Sequence, residues 1–302
     1  MNNLESQQSQ ENKEKAAKVI LHFFRHGEQV KDLAKTNQEY ELSPAGRLQA
    51  MKKSEAVGSE RNMKQTLAYG SPRRRAQQTA GFAMAGTTVD EITGEESVEE
   101  LRDKIDPQVN PDLKFGSKIS VDPRLDFKMD TKTPYGKELE DAYIKKEYLK
   151  YLVENGDVRA KDLNDAVNST YSGQASGVAE IVSKYISVLG NWEKLVEGGK
   201  YQDPKLERFM GSHGGVTESF LLKVIEKMKG VEERDHLVAL MPNGFDYTEG
   251  FEMSISEKGG EPIVHLTYRK LNDNGPEKNF EFDEDVPANI IEEIAVEGKS
   301  KS

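Results

Sequence analysis

Apolar and polar positions alternate along the chain in two distinct rhythms. Lys18–Phe24 is a continuous apolar run containing Val19, Ile20, Leu21, Phe23 and Phe24, the pattern of a strand buried on both faces. It stops abruptly at Arg25-His26-Gly27. Leu42-Ser43-Pro44-Ala45-Gly46 then opens a helix that runs to about Val57, with Ser43 as N-cap and Pro44 in the first helical position. A short strand over about Gln65–Tyr69 leads through Gly70-Ser71-Pro72 into helix-forming sequence over Arg73–Met84. Tyr135–Leu189 is mostly helical in character, and Val178, Ile181, Val182, Tyr185, Ile186 and Leu189 share one face. Leu206–Ser212 reads as a further strand, broken at His213-Gly214-Gly215. Val216, Phe220, Leu221, Val224, Ile225 and Met228 mark the amphipathic helix behind it. Phe251–Ser256 and Pro262–Arg269 flank Glu257-Lys258-Gly259-Gly260, a hairpin signal. Strands alternating with helices, without an internal repeat, predict an α/β fold: a three-layer α/β/α sandwich around a largely parallel sheet.

The remaining segments lack such a rhythm. Residues 1–16 are Gln, Asn, Glu and Lys with little to bury, and are expected to form a disordered tail. Residues 17–283 are expected to make one domain. A helical and irregular cap insertion is placed at about 85–190, with acidic, proline-containing Thr87–Ser120 as its least regular part. Residues 284–302 are expected to form an acidic tail.

Composition narrows the function. The 302 residues carry 42 Lys and Arg against 53 Asp and Glu, a net charge of −11, which speaks against a nucleic-acid partner. Cysteine is absent, so disulfides, thiolate zinc sites and Cys nucleophiles are excluded. The sequence has no apolar window of about 18 residues and opens MNNLESQQSQENKEKAAK, without the apolar core of a secretory signal. A cytoplasmic protein without a membrane partner is expected; oligomeric state is open.

In open α/β sheets, functional residues gather beyond the carboxyl ends of the strands. Three strand-to-helix junctions deliver Arg25-His26-Gly27, Arg75 and His213-Gly214-Gly215 to that edge. Guanidinium forks and free amides at helix N-termini favour phosphate oxygens. Glycine beside each histidine lets backbone approach closely. Histidine has an ordinary pKa near 6.5, so neutral imidazole is available at neutral pH as a nucleophile. Nucleophilic phosphoryl transfer follows as the expected chemistry. His22 and His26 have the i, i+4 spacing of some metal sites, but that spacing needs a helix, and His22 lies in a strand pattern. His236 and His265 have no motif around them, and Trp192 and the tyrosines between Tyr143 and Tyr185 read as packing. Tyr143–Tyr151, where lysines alternate with aromatics, reads as a solvated amphipathic helix.

These residues resemble the histidine phosphatase superfamily, branch 1, also called phosphoglycerate mutase-like. Phe24-Arg25-His26-Gly27-Glu28 is similar to its signature after the first strand. Leu42–Ala50 resembles the helix start that follows. Ser71-Pro72-Arg73-Arg74-Arg75-Ala76-Gln77-Gln78-Thr79-Ala80 fits Ser-Pro-x-x-Arg-Ala-x-x-Thr-Ala, and Ser212-His213-Gly214-Gly215 fits the second-histidine motif, in the family's order. The resemblance covers about 18–84 and 206–229. It implies that His26 is phosphorylated, that Arg25, Arg75, His213 and Gly214 bind phosphate, and that no metal or other cofactor is required. Glu28 and Arg74 are expected at the substrate rim, Arg73 being solvated or rim-lying. The family usually carries a general-acid Glu where Phe127 stands. Asp126 is the first substitute, with Glu28, Asp122 and Glu138 as further candidates. The expected function is a metal-independent phosphatase acting on a phosphorylated small molecule or phosphoprotein. The alternatives are mutase-type phosphoryl transfer and a non-catalytic phosphate-sensing or scaffold protein.

Overall fold

The computed structural model describes residues 16–58, 61–106, 117–271 and 279–299. The strands are β1 (Lys18–Arg25), β2 (Thr66–Gly70), β3 (Ile119–Val121), β4 (Lys205–Ser212), β5 (Gly250–Lys258), β6 (Glu261–Lys270) and β7 (Phe280–Val286). They form one sheet in the order β3-β2-β4-β1-β5-β6-β7. The first four in that order are parallel, and β5, β6 and β7 continue the sheet antiparallel. The β5–β6 hairpin turns on Gly259 and Gly260, both at positive φ, as a two-residue connection between strands of right-handed twist requires.

The helices are α1 (Pro44–Val57), α2 (Arg74–Ala85), α3 (Val98–Ile105), α4 (Pro134–Ile144), α5 (Tyr148–Tyr151), α6 (Asp157–Asp162), α7 (Tyr171–Glu197), α8 (Val216–Lys229), α9 (Val231–Leu240) and α10 (Ala288–Glu297). A π-helical turn, Leu152–Gly156, joins α5 to α6. Strand alternation sorts the apolar side chains into two cores, giving the expected three layers. Val19, Leu21 and Phe23 of β1 face a core shared with α4 through α10, whereas Phe24 faces one shared with α1, α2 and α3. Phe23 and Phe24 are fully buried, and each such side chain contributes about 1.5–3 kcal/mol. Helix α2 lies directly on β2 and β4. A side chain at Gly211 would sit 2.2 Å from the carbonyl oxygen of Ala76.

Four expectations need correction. The described residues of the 87–120 stretch contain regular structure. Ser97 and Glu100 make a capping box for α3, which buries Val98, Leu101 and Ile105, and β3 extends the sheet beside β2; 107–116 lie outside the described residues. The capping pattern Ser-x-x-Glu was present in the sequence and is the signal that marks this helix. The insertion also does not reach 190, because α7 packs its Val178, Ile181 and Val182 face into the sheet core. The chain does not become an acidic tail at 284. Acidic side chains alternate along β7 with buried Phe280, Phe282 and Val286, and α10 buries Ile291 and Ile294, so a half-buried strand and an amphipathic helix sit inside acidic sequence. Tyr143–Tyr151 is likewise not one helix: Lys146 has φ 61°, and Tyr148 and Leu149 restart the chain as buried residues. The tail expected at residues 1–16 falls, except for Ala16, outside the described residues. Among the described residues, no helix is long and apolar enough to cross a membrane.

Candidate active site

Register builds the site. In the parallel pair β1–β4, Arg25 stands opposite Ser212, so the next residue of each strand, His26 and His213, emerges side by side at the carboxyl edge. Their ring centroids are 5.1 Å apart. Gly70 stands opposite Gly211, which brings Ser71 to the same edge, and Ser71 Oγ lies 2.6 Å from His213 Nε2. Helix α2 starts there and supplies Arg75.

His26 is oriented on both ring nitrogens. Nδ1 lies 2.6 Å from the carbonyl oxygen of Gly27, which can only accept, so Nδ1 carries the proton. Nε2 presents its lone pair and accepts from Arg75 Nε at 3.2 Å. Burial first, and then the guanidinium of Arg75, hold the His26 pKa well below the ordinary imidazole value. His213 is held well below it too, by burial and then by its neighbours His26 and Arg75. The loop carrying His26 is fastened by the amide of Gly27, which donates to Thr79 Oγ1 at 3.1 Å. That hydroxyl donates in turn to the carbonyl of Arg75 at 2.7 Å.

Three arginines surround the imidazoles. Arg75 donates from Nη1 to the carbonyl of Asn37 at 2.7 Å, and burial together with Arg73 presses its pKa downward. Arg25 donates from Nη1 to the carbonyl of Phe245 and stacks 4.9 Å from the Tyr247 ring. Gly214 lies beside this guanidinium: a side chain there would stand 3.5 Å from Arg25 Cζ. Arg25 Nε and His213 Nδ1 are buried polar atoms without a protein partner, and the Arg25 donor suits an oxyanion, since a donor buried unpaired costs about 1–3 kcal/mol. Arg73, read as solvated or rim-lying, is instead a clamp. It donates to Asp126 Oδ1 at 2.7 Å, to Asn37 Oδ1 at 3.0 Å and to the carbonyl of Phe127 at 2.9 Å, and stacks 4.2 Å from the Phe127 ring.

The expected acids fare differently. Asp126 reaches the site, 3.5 Å from His213 Nε2. Glu28 accepts from the Ser43 hydroxyl at 3.1 Å. Asp122 is bound to Arg124, and Glu138 to Arg159 and Tyr151. Arg74 is paired with Glu41 and Glu99, and no bond joins it to either imidazole among the described residues. His22 lies between Glu207 at 2.8 Å and Glu252 at 3.2 Å. Among the described residues no group of three or more His, Asp and Glu has metal-binding geometry. Sequence reading missed Tyr247, whose ring is 6.1 Å from that of His26; it belongs to a loop before β5 without a local motif. It also passed over the buried Glu218, which accepts from the Phe245 amide at 2.8 Å and so steadies the loop that holds Arg25.

The model of the histidine phosphatase superfamily (branch 1) matches residues 21–103. The matched segment is 83 of the 302 residues. It holds Arg25, His26 and Arg75, while His213 comes from beyond it through the β1–β4 register. Among solved structures, the mycobacterial glucosyl-3-phosphoglycerate phosphatase is 17% identical, with 82% of this chain and 93% of that one covered at a TM-score of 0.43. Phosphoglycerate mutase from Bacillus anthracis is 13% identical, with 95% and 99% covered and a TM-score of 0.39. No curated protein matches the chain.

Proposed function

We propose that this histidine phosphatase homologue hydrolyses phosphomonoesters, of small molecules or phosphoproteins, through a phosphohistidine on His26, without a metal. The observation that carries this reading is the His26 ring, its Nδ1 proton fixed on Gly27 and its Nε2 lone pair facing Arg75. Low pKa and fixed tautomer make Nε2 a nucleophile that needs no separate base. In the first step Nε2 attacks phosphorus and the ester P–O bond breaks. Arg25, Arg75 and His213 stabilise the equatorial oxygens, so cationic side chains supply the charge that a metal would otherwise bring. In the second step water attacks phosphorus, the N–P bond breaks, and phosphate leaves with neutral His26 restored.

The test is p-nitrophenyl phosphate hydrolysis in excess EDTA, comparing the protein with His26→Ala, together with acid-labile phosphate trapping from radiolabelled substrate. The reading expects chelator-resistant turnover and a trapped phosphoenzyme, both lost in the variant. Turnover equal in both proteins refutes it, and binding of phosphoesters without turnover would replace it with a phosphate-sensing role.

A further inference from the structure

Among the described residues, one carboxylate, Asp126, and two aromatic rings, Phe127 and Tyr247, stand beside the two imidazoles. Of the carboxylates considered above, only Asp126 lies against an imidazole, and it is committed as the acceptor of Arg73 Nε at 2.7 Å. Glu218 is fully buried, and its carboxyl accepts from the amide of Phe245 and the hydroxyl of Thr217. Asp126 would have to give up its ion pair with Arg73 to carry a proton, which makes it a poor general acid, and Glu218 has no exposed surface from which to reach a leaving group. Two aromatic rings stand beside the imidazoles instead. Half-buried Phe127 meets His213 edge-on at 5.3 Å between centroids, and Tyr247, 40% exposed, lies 6.1 Å from His26. Each has a guanidinium over its face, Arg73 over Phe127 and Arg25 over Tyr247.

We propose that the substrate class of this site is phosphate monoesters of phenols, whose leaving oxygen departs as phenolate while its ring packs against Phe127 and Tyr247. The proposal rests on the phosphatase reading above. Its balance is simple. His26 Nε2 bonds to phosphorus as the P–O(aryl) bond breaks, the electron pair leaves on the phenolate, and solvent rather than a side chain protonates it. The water that later cleaves the N–P bond returns the proton. A phenol, with a pKa of about 10 like the tyrosine side chain, leaves far more readily without an acid than an alkoxide does. General-acid catalysis is worth about 10²–10⁴-fold, and that is the handicap alkyl esters face here.

The experiment measures kcat/KM for p-nitrophenyl phosphate, phenyl phosphate, a phosphotyrosyl peptide and glycerol 2-phosphate on the wild-type protein, with His26→Ala as control. The expected result is a loss of about 10²-fold or more from phenyl to glycerol phosphate. Phe127→Glu, which restores a proton donor, narrows that ratio by at least about tenfold, whereas Phe127→Gln, of the same reach without a carboxyl, does not. Phenyl and glycerol phosphate turned over within about tenfold of each other, with His26 still essential, overturn the substrate class and leave the phosphatase reading standing. Failure to turn over p-nitrophenyl phosphate at all, or turnover that survives His26→Ala, overturns both. The ratio of peptide to phenyl phosphate distinguishes a phosphoprotein source from a small aryl ester. The wild-type series decides the question even if the Phe127 variants do not fold.

Discussion

Gly46 stands twenty residues from His26 and touches no imidazole, yet the structure gives it a decisive place. It lies buried in the first turn of α1, where its amide donates to the N-cap oxygen of Ser43 at 3.0 Å. A β-carbon there would meet the carbonyl oxygen of Glu28 at 2.0 Å, whereas ordinary contact begins near 3.4 Å. The neighbour is backbone, two residues after His26, and it is bound on both sides: the Glu28 carbonyl accepts from the amide of Ser43 at 2.9 Å and its amide donates to Gln49 at 2.9 Å. Gly27 is in the same bind, since a side chain on it would stand 2.5 Å from the carbonyl oxygen of Gly46. Gly46→Ala therefore must push the 26–28 loop away from α1 by about 1 Å or more, an overpacking that costs about 1–3 kcal/mol. Thermal unfolding should fall by about 2–4 °C for each kcal/mol lost. Activity should fall further, because a misplacement of about 1 Å at reacting groups costs about 10²-fold. Paired assays of p-nitrophenyl phosphate turnover and melting temperature measure both. A variant with kcat/KM within about threefold of wild type would refute the claim that this glycine pair sets the position of His26.

Two further outcomes follow from the buried histidines. Burial and Arg75 hold His26 well below the ordinary value, so nitrogen-15 NMR of the free protein should show it neutral throughout pH 6–8, and a midpoint at or above about 6.5 would contradict the electrostatics described here. For His22, burial acts against the proton but hydrogen bonds to Glu207 and Glu252 outweigh it, so its pKa is raised. Its stabilising contribution is fully present below the unfolded value of about 6.5 and is lost as pH rises through the folded value. His22→Gln should therefore cost more stability at pH 6 than at pH 9, as denaturant titrations at the two pH values would show; an equal loss would mean that His22 is held neutral.

Local rules account for much of what the sequence foretold. Ser43 and Pro44 start α1 because an oxygen acceptor and a fixed φ suit a helix N-terminus, and Ser43 does accept from Gly46. The Gly259-Gly260 turn and the apolar runs of β1 and β4 obey equally local demands. Where sequence reading erred, two signals overlapped. Acidic side chains on the solvent face of β7 masked its alternation with Phe280, Phe282 and Val286, and Pro107 and Pro111 obscured the Ser97–Glu100 box. Exposed acids carry no information about the buried residues between them, which is why charge alone misread both segments.

By itself the sequence determined the alternating α/β plan and which residue types stand at the ends of three strands, because backbone propensity and apolar periodicity are properties of short windows. Only the tertiary structure decided what those residues meet. The register of β1 on β4 placed His26 beside His213, and Asn37, Asp126 and Phe127 turned Arg73 from a presumed surface charge into a clamp. Tyr247 arrived from a loop more than two hundred residues away from Arg25. Hydrogen-bond partners, burial and the resulting pKa directions depend on groups that meet only after the chain has folded, and no window of sequence contains both members of such a pair.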